Sequence, residues 1–183
     1  MKKEMIGITG MSGAGKGTVV EMLTKIGFKH FSASELLLEK VIGKNLPQNR
    51  DSLIAMGNEL RGKYGPGYVV EELIRRGQST TGGVVIESVR TIGEVETLKR
   101  AGGVLLAVDA SQKTRYERVV KRGGIKDQVS WEEFVEQEDR ESRSEDPNRQ
   151  NLIACRNRAD FVICNDGTIG ELEAQVNSFL KKV

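Results

Sequence analysis

The chain has 183 residues, room for one sizeable hydrophobic core and too few for two ordinary domains. Apolar residues make up 38% and charged residues 30%, the balance of a soluble globular protein, and a net charge of +2 gives no strong nucleic-acid footprint and no call for an acidic membrane. Cys155 and Cys164 form no C-x-x-C pair and cannot supply four sulfur ligands, which argues against structural zinc and fits a reducing cytoplasm. Met5–Thr9 is too short for a signal h-region, and no stretch approaches the ~20 apolar residues of a membrane span.

In chain order, Met5–Thr9 reads as a buried strand and Lys16–Lys25 as a helix stopped by Gly27. Phe28–Phe31 is a short second strand. Ser34 is placed to cap a helix through Ile42, ended by Gly43. Helices follow at Arg50–Lys63 and Tyr68–Arg76, split by Gly65-Pro66-Gly67. Val84–Glu87 is a third strand, Ile92–Arg100 a helix, Val104–Val108 a fourth strand, and Gln112–Arg122 a helix ending at Gly123-Gly124. Ser130 and Glu133 suit a capping box for Trp131–Arg140. Pro147 opens a helix ending near Arg158, Phe161–Cys164 is the fifth strand, and Ile169–Lys181 closes the chain. This alternation predicts an α/β fold: one domain, a five-stranded, mostly parallel sheet with helices on both faces. Two helical, arginine-rich insertions lie at about 32–76 and 122–158.

The strongest motif is Gly10-Met11-Ser12-Gly13-Ala14-Gly15-Lys16-Gly17-Thr18, between an apolar strand and a helix. That is the setting of a Walker A phosphate loop. Glycines let successive N–H groups converge on one anion, and the helix N-terminus adds partial positive charge. Lys16 would bridge the β- and γ-phosphates of ATP, and Thr18 would hydrogen-bond a phosphate oxygen. Gly17 stands where a Ser or Thr usually follows the lysine. A direct side-chain ligand for Mg²⁺ is then missing, and the ion keeps more water. Glu87 and Asp109 each end an apolar strand and could hold those waters; periodicity does not separate them.

Gly-Lys-Gly-Thr resembles adenylate kinase and the related nucleoside monophosphate kinases, although Ser12 replaces their proline. Ile86-Glu87-Ser88-Val89-Arg90-Thr91 is similar to the D-G-F-P-R-T segment of adenylate kinases, one residue shorter. The resemblance implies Glu87 as the metal carboxylate and Arg90 as a ligand of the acceptor phosphate. Arg115, Arg118 and Arg122 share one helix face. Asp109-Ala110-Ser111 before them resembles the lid entry, which implies that Arg118 and Arg122 lie against ATP. Arg140 and Arg143, on the next helix, would neutralise the transferring phosphoryl group in a helical, metal-free lid.

Phe31-Ser32-Ala33-Ser34-Glu35-Leu36 falls where adenylate kinases have S-T-G-D-M, which implies acceptor contacts from Ser32, Ser34 and Glu35. Leu38 replaces the arginine expected there; Asn58 and Arg61 are candidates to supply the missing polar groups. Ala159–Gly167 resembles the last strand and loop of dephospho-CoA kinases, implying that Asn165 and Gly167 border the adenine. His30, the only histidine, reads as structural or solvated, and Trp131 as packing. Taken whole, the chain is similar to a largely archaeal group of adenylate-kinase-related, dephospho-CoA-kinase-like proteins. The resemblance implies transfer from ATP, with Mg²⁺, to a nucleoside or deoxynucleoside monophosphate. Dephospho-CoA kinase is the runner-up, and a nucleotide-dependent regulatory or assembly ATPase the reading from another class. Monomer and homodimer are equally compatible with the sequence.

Overall fold

The computed structural model of the protein describes residues 4–123 and 129–183. Five strands, β1 (Met5–Thr9), β2 (Lys29–Ser32), β3 (Val84–Glu87), β4 (Val104–Asp109) and β5 (Phe161–Cys164), form one sheet in the order β2-β3-β1-β4-β5. Every pairing is parallel, whereas the sequence pattern promised only a mostly parallel sheet. The continuous apolar runs Met5–Ile8, Val84–Ile86 and Leu105–Val108 suit strands covered on both faces.

The cover comes from α1 (Lys16–Lys25) and α9 (Ile169–Leu180) on one face. There Val19, Leu23, Leu172, Val176 and Phe179 pack on Ile6, Ile8 and Val108. The other face carries α2 (Ala33–Gly43), α3 (Arg50–Tyr64), α4 (Tyr68–Gly77), α5 (Ile92–Arg100) and the short α8 (Leu152–Asn157). Leu36, Met56, Val70, Leu73, Leu98 and Cys155 pack there on Val84, Ile86 and Leu105. The helices of the acceptor-side insertion thus share their core with the sheet. Gly7 is required for this packing: a Cβ on it would run into the Leu98 side chain of α5. Helices α6 (Gln112–Arg122) and α7 (Trp131–Ser142) complete the fold. The capping box of α7, Ser130 with Glu133, is formed as its sequence indicates.

Several ends shift by one or two residues, and three differences from the sequence reading have a local reason. Pairing with β3 runs over Lys29–Ser32, one residue later than expected. Ser32 rather than Ser34 caps α2, because its Oγ accepts the Glu35 N–H directly at the strand end. The helix expected from Pro147 is instead a run of turns up to Asn151, followed by α8. The Asn151 N–H is committed to the Arg90 carbonyl at 2.9 Å, and its side-chain oxygen caps Ala154. A helix cannot run through a residue so tied. Of the expected lid at 122–158, residues 124–128 lie outside the described ones, and with them the Gly124 half of the Gly123-Gly124 stop.

Candidate active site

The sheet order puts β1 between β3 and β4, where the direction of winding reverses. The loop after β1 therefore opens at the carboxyl edge of the sheet, where such folds bind ligands. Gly10, Gly13 and Gly15 have φ of 142°, 78° and 99°, values a side chain disfavours. A Cβ at Gly10 would also meet the Val108 carbonyl, and one at Gly15 the Asn165 amide. These turns wrap the loop around the start of α1, whose N-cap is Gly15 itself. Lys16 Nζ donates to the carbonyls of Gly10 and Met11, both at 2.8 Å. Burial pulls the Lys16 amine down to about 7; Arg90 pushes the same way, while Glu87 and Glu141 oppose it. An anion in the loop would supply the countercharge that this amine lacks.

A cavity of about 530 Å³ opens over the loop, lined by Ser12, Gly13, Gly15, Lys16, Gly17 and Thr18. Gly10 and Ala14 stand behind it: the Gly10 carbonyl holds Lys16, and the fully buried Ala14 gives its carbonyl to Asn165 Nδ2 at 2.9 Å.

The end of β3 forms a second wall. Glu87 lines the cavity, and its carboxylate accepts from the His30 ring at Nε2, 3.0 Å away. Burial pushes the Glu87 carboxyl up, but His30, Lys16 and Arg90 outweigh it and hold the group below its usual range. The same bond raises His30, which gives the lone histidine a defined partner. Ser88 then takes a left-handed φ of 72°, and the N–H groups of Ser88 and Val89 both donate to the Ile8 carbonyl at 3.0 Å. That turn carries the chain from Glu87 to Arg90, so both face the cavity.

An anionic Glu87 and the Thr18 hydroxyl are hard oxygen donors that fit Mg²⁺. Among the described residues no cluster of three or more His, Cys, Asp or Glu could cage a metal. The donor set suits an ion that arrives with phosphates and water. Asp109 does not join it. Its carboxylate is bonded to Arg156 Nε at 2.6 Å and to the Ala110 N–H at 2.9 Å, and it lines neither of the two cavities described here.

Arg118 and Arg122 of α6 reach the cavity, and among the described residues the buried Arg118 Nη1 has no hydrogen-bond partner. Arg115, on the same helical face in sequence, turns to Glu138 of α7, with Nε and Nη2 on its two oxygens at 2.9 and 2.7 Å. Arg140 lines a second cavity of about 420 Å³, together with Asn58, and approaches Asp51 at 3.8 Å. Arg143 is exposed and lines neither cavity.

On the acceptor side Ser32 and Ser34 line the main cavity beside the apolar Leu37, Leu53 and Ile54. Glu35 is exposed and outside its wall. Arg61 is a correction. It is 1% exposed and paired at 2.8 Å with Glu94, itself 0% exposed, in the core beneath the cavity. The other Glu94 oxygen accepts the N–H groups of Arg90 and Thr91 at 2.7 and 3.2 Å. Arg61 therefore buttresses the Arg90 loop instead of meeting ligand. Asn165 and Gly167 do not line the cavity either; Asn165 props the phosphate loop, and Asp166 accepts the Ser111 N–H at the start of α6.

Among the cavity residues that escaped the sequence reading, three are joined to Arg90 or to one another. Arg50 Nε and Arg90 Nη1 reach opposite oxygens of Glu141, at 2.7 and 3.0 Å, and Gln150 Oε1 accepts from the same Arg90 nitrogen at 3.0 Å. A signal for Glu141 existed. Phe134 marks the inward face of α7, and Glu138 and Glu141 follow at i+4 and i+7 on that face. Arg50 and Gln150 carried no comparable mark.

Residues 6–146 match the model of a family described as AAA domain. A UPF0200 protein of Staphylothermus marinus is 32% identical, over 100% of this chain and 94% of its own length. The solved structure of TT1252 from Thermus thermophilus matches with a TM-score of 0.69 at 22% identity, covering 100% of this chain and 99% of that one. Shikimate kinase from Bacteroides thetaiotaomicron follows at a TM-score of 0.61 and 15% identity, covering 98% and 97%. With its phosphate loop at the carboxyl edge of a five-stranded parallel sheet, the chain has a P-loop kinase-like fold and belongs to the AAA domain family, among the relatives called UPF0200 proteins.

Proposed function

We propose that this chain is an ATP-dependent phosphotransferase whose acceptor is a nucleoside or deoxynucleoside monophosphate. One observation carries the reading: the cavity wall holds more cations than the phosphate loop alone accounts for. Lys16, Arg118 and Arg122 line it together with the loop, and Arg90 and Arg50 line it together with the apolar Leu37, Leu53 and Ile54. A second anionic group next to an apolar surface describes a phosphate joined to a sugar and base. The acceptor phosphate attacks in line while Lys16 and the arginines hold the charge that spreads over the transferring group. Mg²⁺, with its waters held by Glu87, supplies further charge neutralisation when bound. We assign this activity to a single domain working in the cytoplasm. No helix among the described residues is long and apolar enough to cross a membrane.

A hydroxyl acceptor is the second reading, and Glu141 favours it as a carboxylate in the cavity wall. Both of its oxygens are already taken by arginines, which makes it a poor proton acceptor and ranks this reading lower. The test supplies ATP and Mg²⁺ and screens ribo- and deoxynucleoside monophosphates and dephospho-CoA for acceptor-dependent ADP release. A monophosphate should stimulate release. Stimulation by dephospho-CoA alone moves the assignment to a hydroxyl acceptor, and hydrolysis indifferent to every acceptor sinks the kinase reading.

A further inference from the structure

The two inward carboxylates of α7 are paired differently. Glu138 meets one arginine, Arg115, whose fork takes both oxygens. The charges balance and the pair is buried, an anchor for the helix. Glu141 meets two. Arg50, at the first turn of α3, directs Nε and Nη2 at Oε1, both at 2.7 Å. Arg90, in the loop after β3, directs Nη1 at Oε2 at 3.0 Å. The carboxylate is 5% exposed and each arginine 22%, and all three line the main cavity. Two cations thus share one anion, with a net positive charge left over inside a cavity wall.

This arrangement is what a phosphate group would receive. Guanidinium groups approaching from opposite sides suit an anion with several oxygens better than a carboxylate with two. Among the described residues the Arg90 side chain donates from Nη1 alone, to Glu141 and Gln150, so its Nε and Nη2 remain for a ligand. The Arg90 backbone does not share this latitude: its N–H is fixed by Glu94 and its carbonyl by the Asn151 N–H. The guanidinium is therefore presented from a rigid base. Glu141 stands on the last turn of α7, after which Arg143 leaves the helix in an extended conformation.

We propose that Arg50 and Arg90 form a two-sided clamp for the phosphate group of the acceptor, and that the Glu141 carboxylate fills this clamp when the acceptor is absent. Glu141 sets how tightly the phosphate is held, because the incoming group must displace it. The identity of the ligand as an acceptor rests on the proposed phosphotransfer; the clamp itself does not.

The test needs no turnover. With ADP saturating the phosphate loop, inorganic phosphate is titrated against the wild-type protein, Glu141→Gln, and Glu141→Gln combined with Arg50→Met, and the rise in unfolding temperature gives each affinity. Emptying the clamp of its own anion should tighten phosphate binding ~10-fold, the scale of one charge-assisted hydrogen bond. Arg50→Met should then remove the gain. Unchanged or weaker binding by Glu141→Gln would show that Glu141 is a strut that orders the arginines, which overturns the proposal. A gain that survives Arg50→Met would place the phosphate elsewhere and overturn it equally. Should Glu141→Gln not fold, Arg50→Met alone decides: phosphate must bind several-fold more weakly than to wild type, and equal binding rejects the clamp. An absence of acceptor-dependent turnover would count against the kinase reading and leave these phosphate measurements standing.

Discussion

At one end of the cavity Lys16 reaches back six residues to the Gly10 carbonyl; at the other, Glu141 meets Arg50 from 91 residues away. The phosphate-loop end is built mainly by chain-local geometry. Left-handed glycines and a helix N-terminus shape the anion site, with Asn165 as a distant prop on the Ala14 carbonyl. The acceptor end is assembled from α3, the loop after β3, α7 and the turns up to Asn151, held together by ion pairs between remote segments. The first kind of site announces itself in sequence, and its failure should be chemical. The second is visible only once the chain is folded, and its failure should be both chemical and structural.

The largest effect that separates the two ends is Lys16→Ala. It removes the cation proposed to meet the transferring group, and turnover should fall ~10³-fold or more. The unfolding temperature should not drop, because the lysine replaced is a buried cation without a carboxylate partner among its hydrogen bonds. Acceptor-dependent ADP release and thermal unfolding, read side by side, check this. A near-normal kcat would show that the loop does not hold the transferred phosphate.

Next in size comes the buried pair under Arg90. Arg61→Met leaves Glu94 charged and fully buried, and should cost ~3–5 kcal/mol of stability by urea unfolding. Arg61→Met combined with Glu94→Gln should cost clearly less than the two singles summed. Additive costs would mean that the pair is not coupled. The variants that fold should also raise the acceptor KM more than the ATP KM, since Glu94 holds the Arg90 and Thr91 N–H groups.

This second case also marks how far the sequence carried. The strand–helix order was legible throughout, because parallel strands are apolar runs and the capping residues Thr91, Ser130 and Thr168 stand at helix starts. Lys16, Glu87, Arg90, Arg118 and Arg122 were singled out by motif, order and resemblance, and all five line the same cavity. Arg61 was misread because α3 offers Arg61 no spacing that tells a buried arginine from an exposed one. Its burial depends on Glu94, 33 residues on, which meets it in the core. Asp109 was misread for a similar reason: a carboxylate at a strand end looks the same whether it faces ligand or Arg156. Within α7 the arginines drew attention, while the inward face belonged to Phe134, Glu138 and Glu141. Counting from the one large apolar residue at that face, instead of from charge of the expected sign, would have reached Glu141.

A smaller effect sharpens the phosphate-loop side. The Lys16 amine is lowered to about 7, chiefly through burial. Bound phosphates favour its charged form, so above pH 7 nucleotide binding takes up a proton. ATP affinity should therefore weaken as pH rises from about 7.5, by up to ~10-fold per unit. Calorimetric titration between pH 7.5 and 9.5 would read this, and Lys16→Arg should flatten the profile. Without nucleotide the sign reverses for stability: the unfolded lysine keeps its proton up to about 10.5, so stability should increase with pH between about 7 and 10.5 from this group. An ATP affinity independent of pH would mean that the lysine enters the complex already charged.

The smallest effect concerns the two arginines that sequence alone would rank with Arg118 and Arg122. Arg143 is exposed beyond the end of α7, and Arg140 is half-exposed beside Asp51 on the second cavity. Surface cations of this kind contribute little, so Arg143→Ala should change stability by no more than ~0.5 kcal/mol. Its effect on kcat should be a few-fold at most, against the far larger loss expected from Arg118→Ala, whose buried Nη1 has no hydrogen-bond partner among the described residues. Arg140→Ala should fall between them and act on the acceptor KM, because its cavity adjoins the main one through Ile54, Glu141 and Gln150. If Arg143→Ala were instead as damaging as Arg118→Ala, α7 would have to turn its outer face to the phosphates during the reaction. The inward ion pairs of Glu138 and Glu141 would then break in every catalytic cycle, and the acceptor end of the cavity would be a moving part instead of a prebuilt wall.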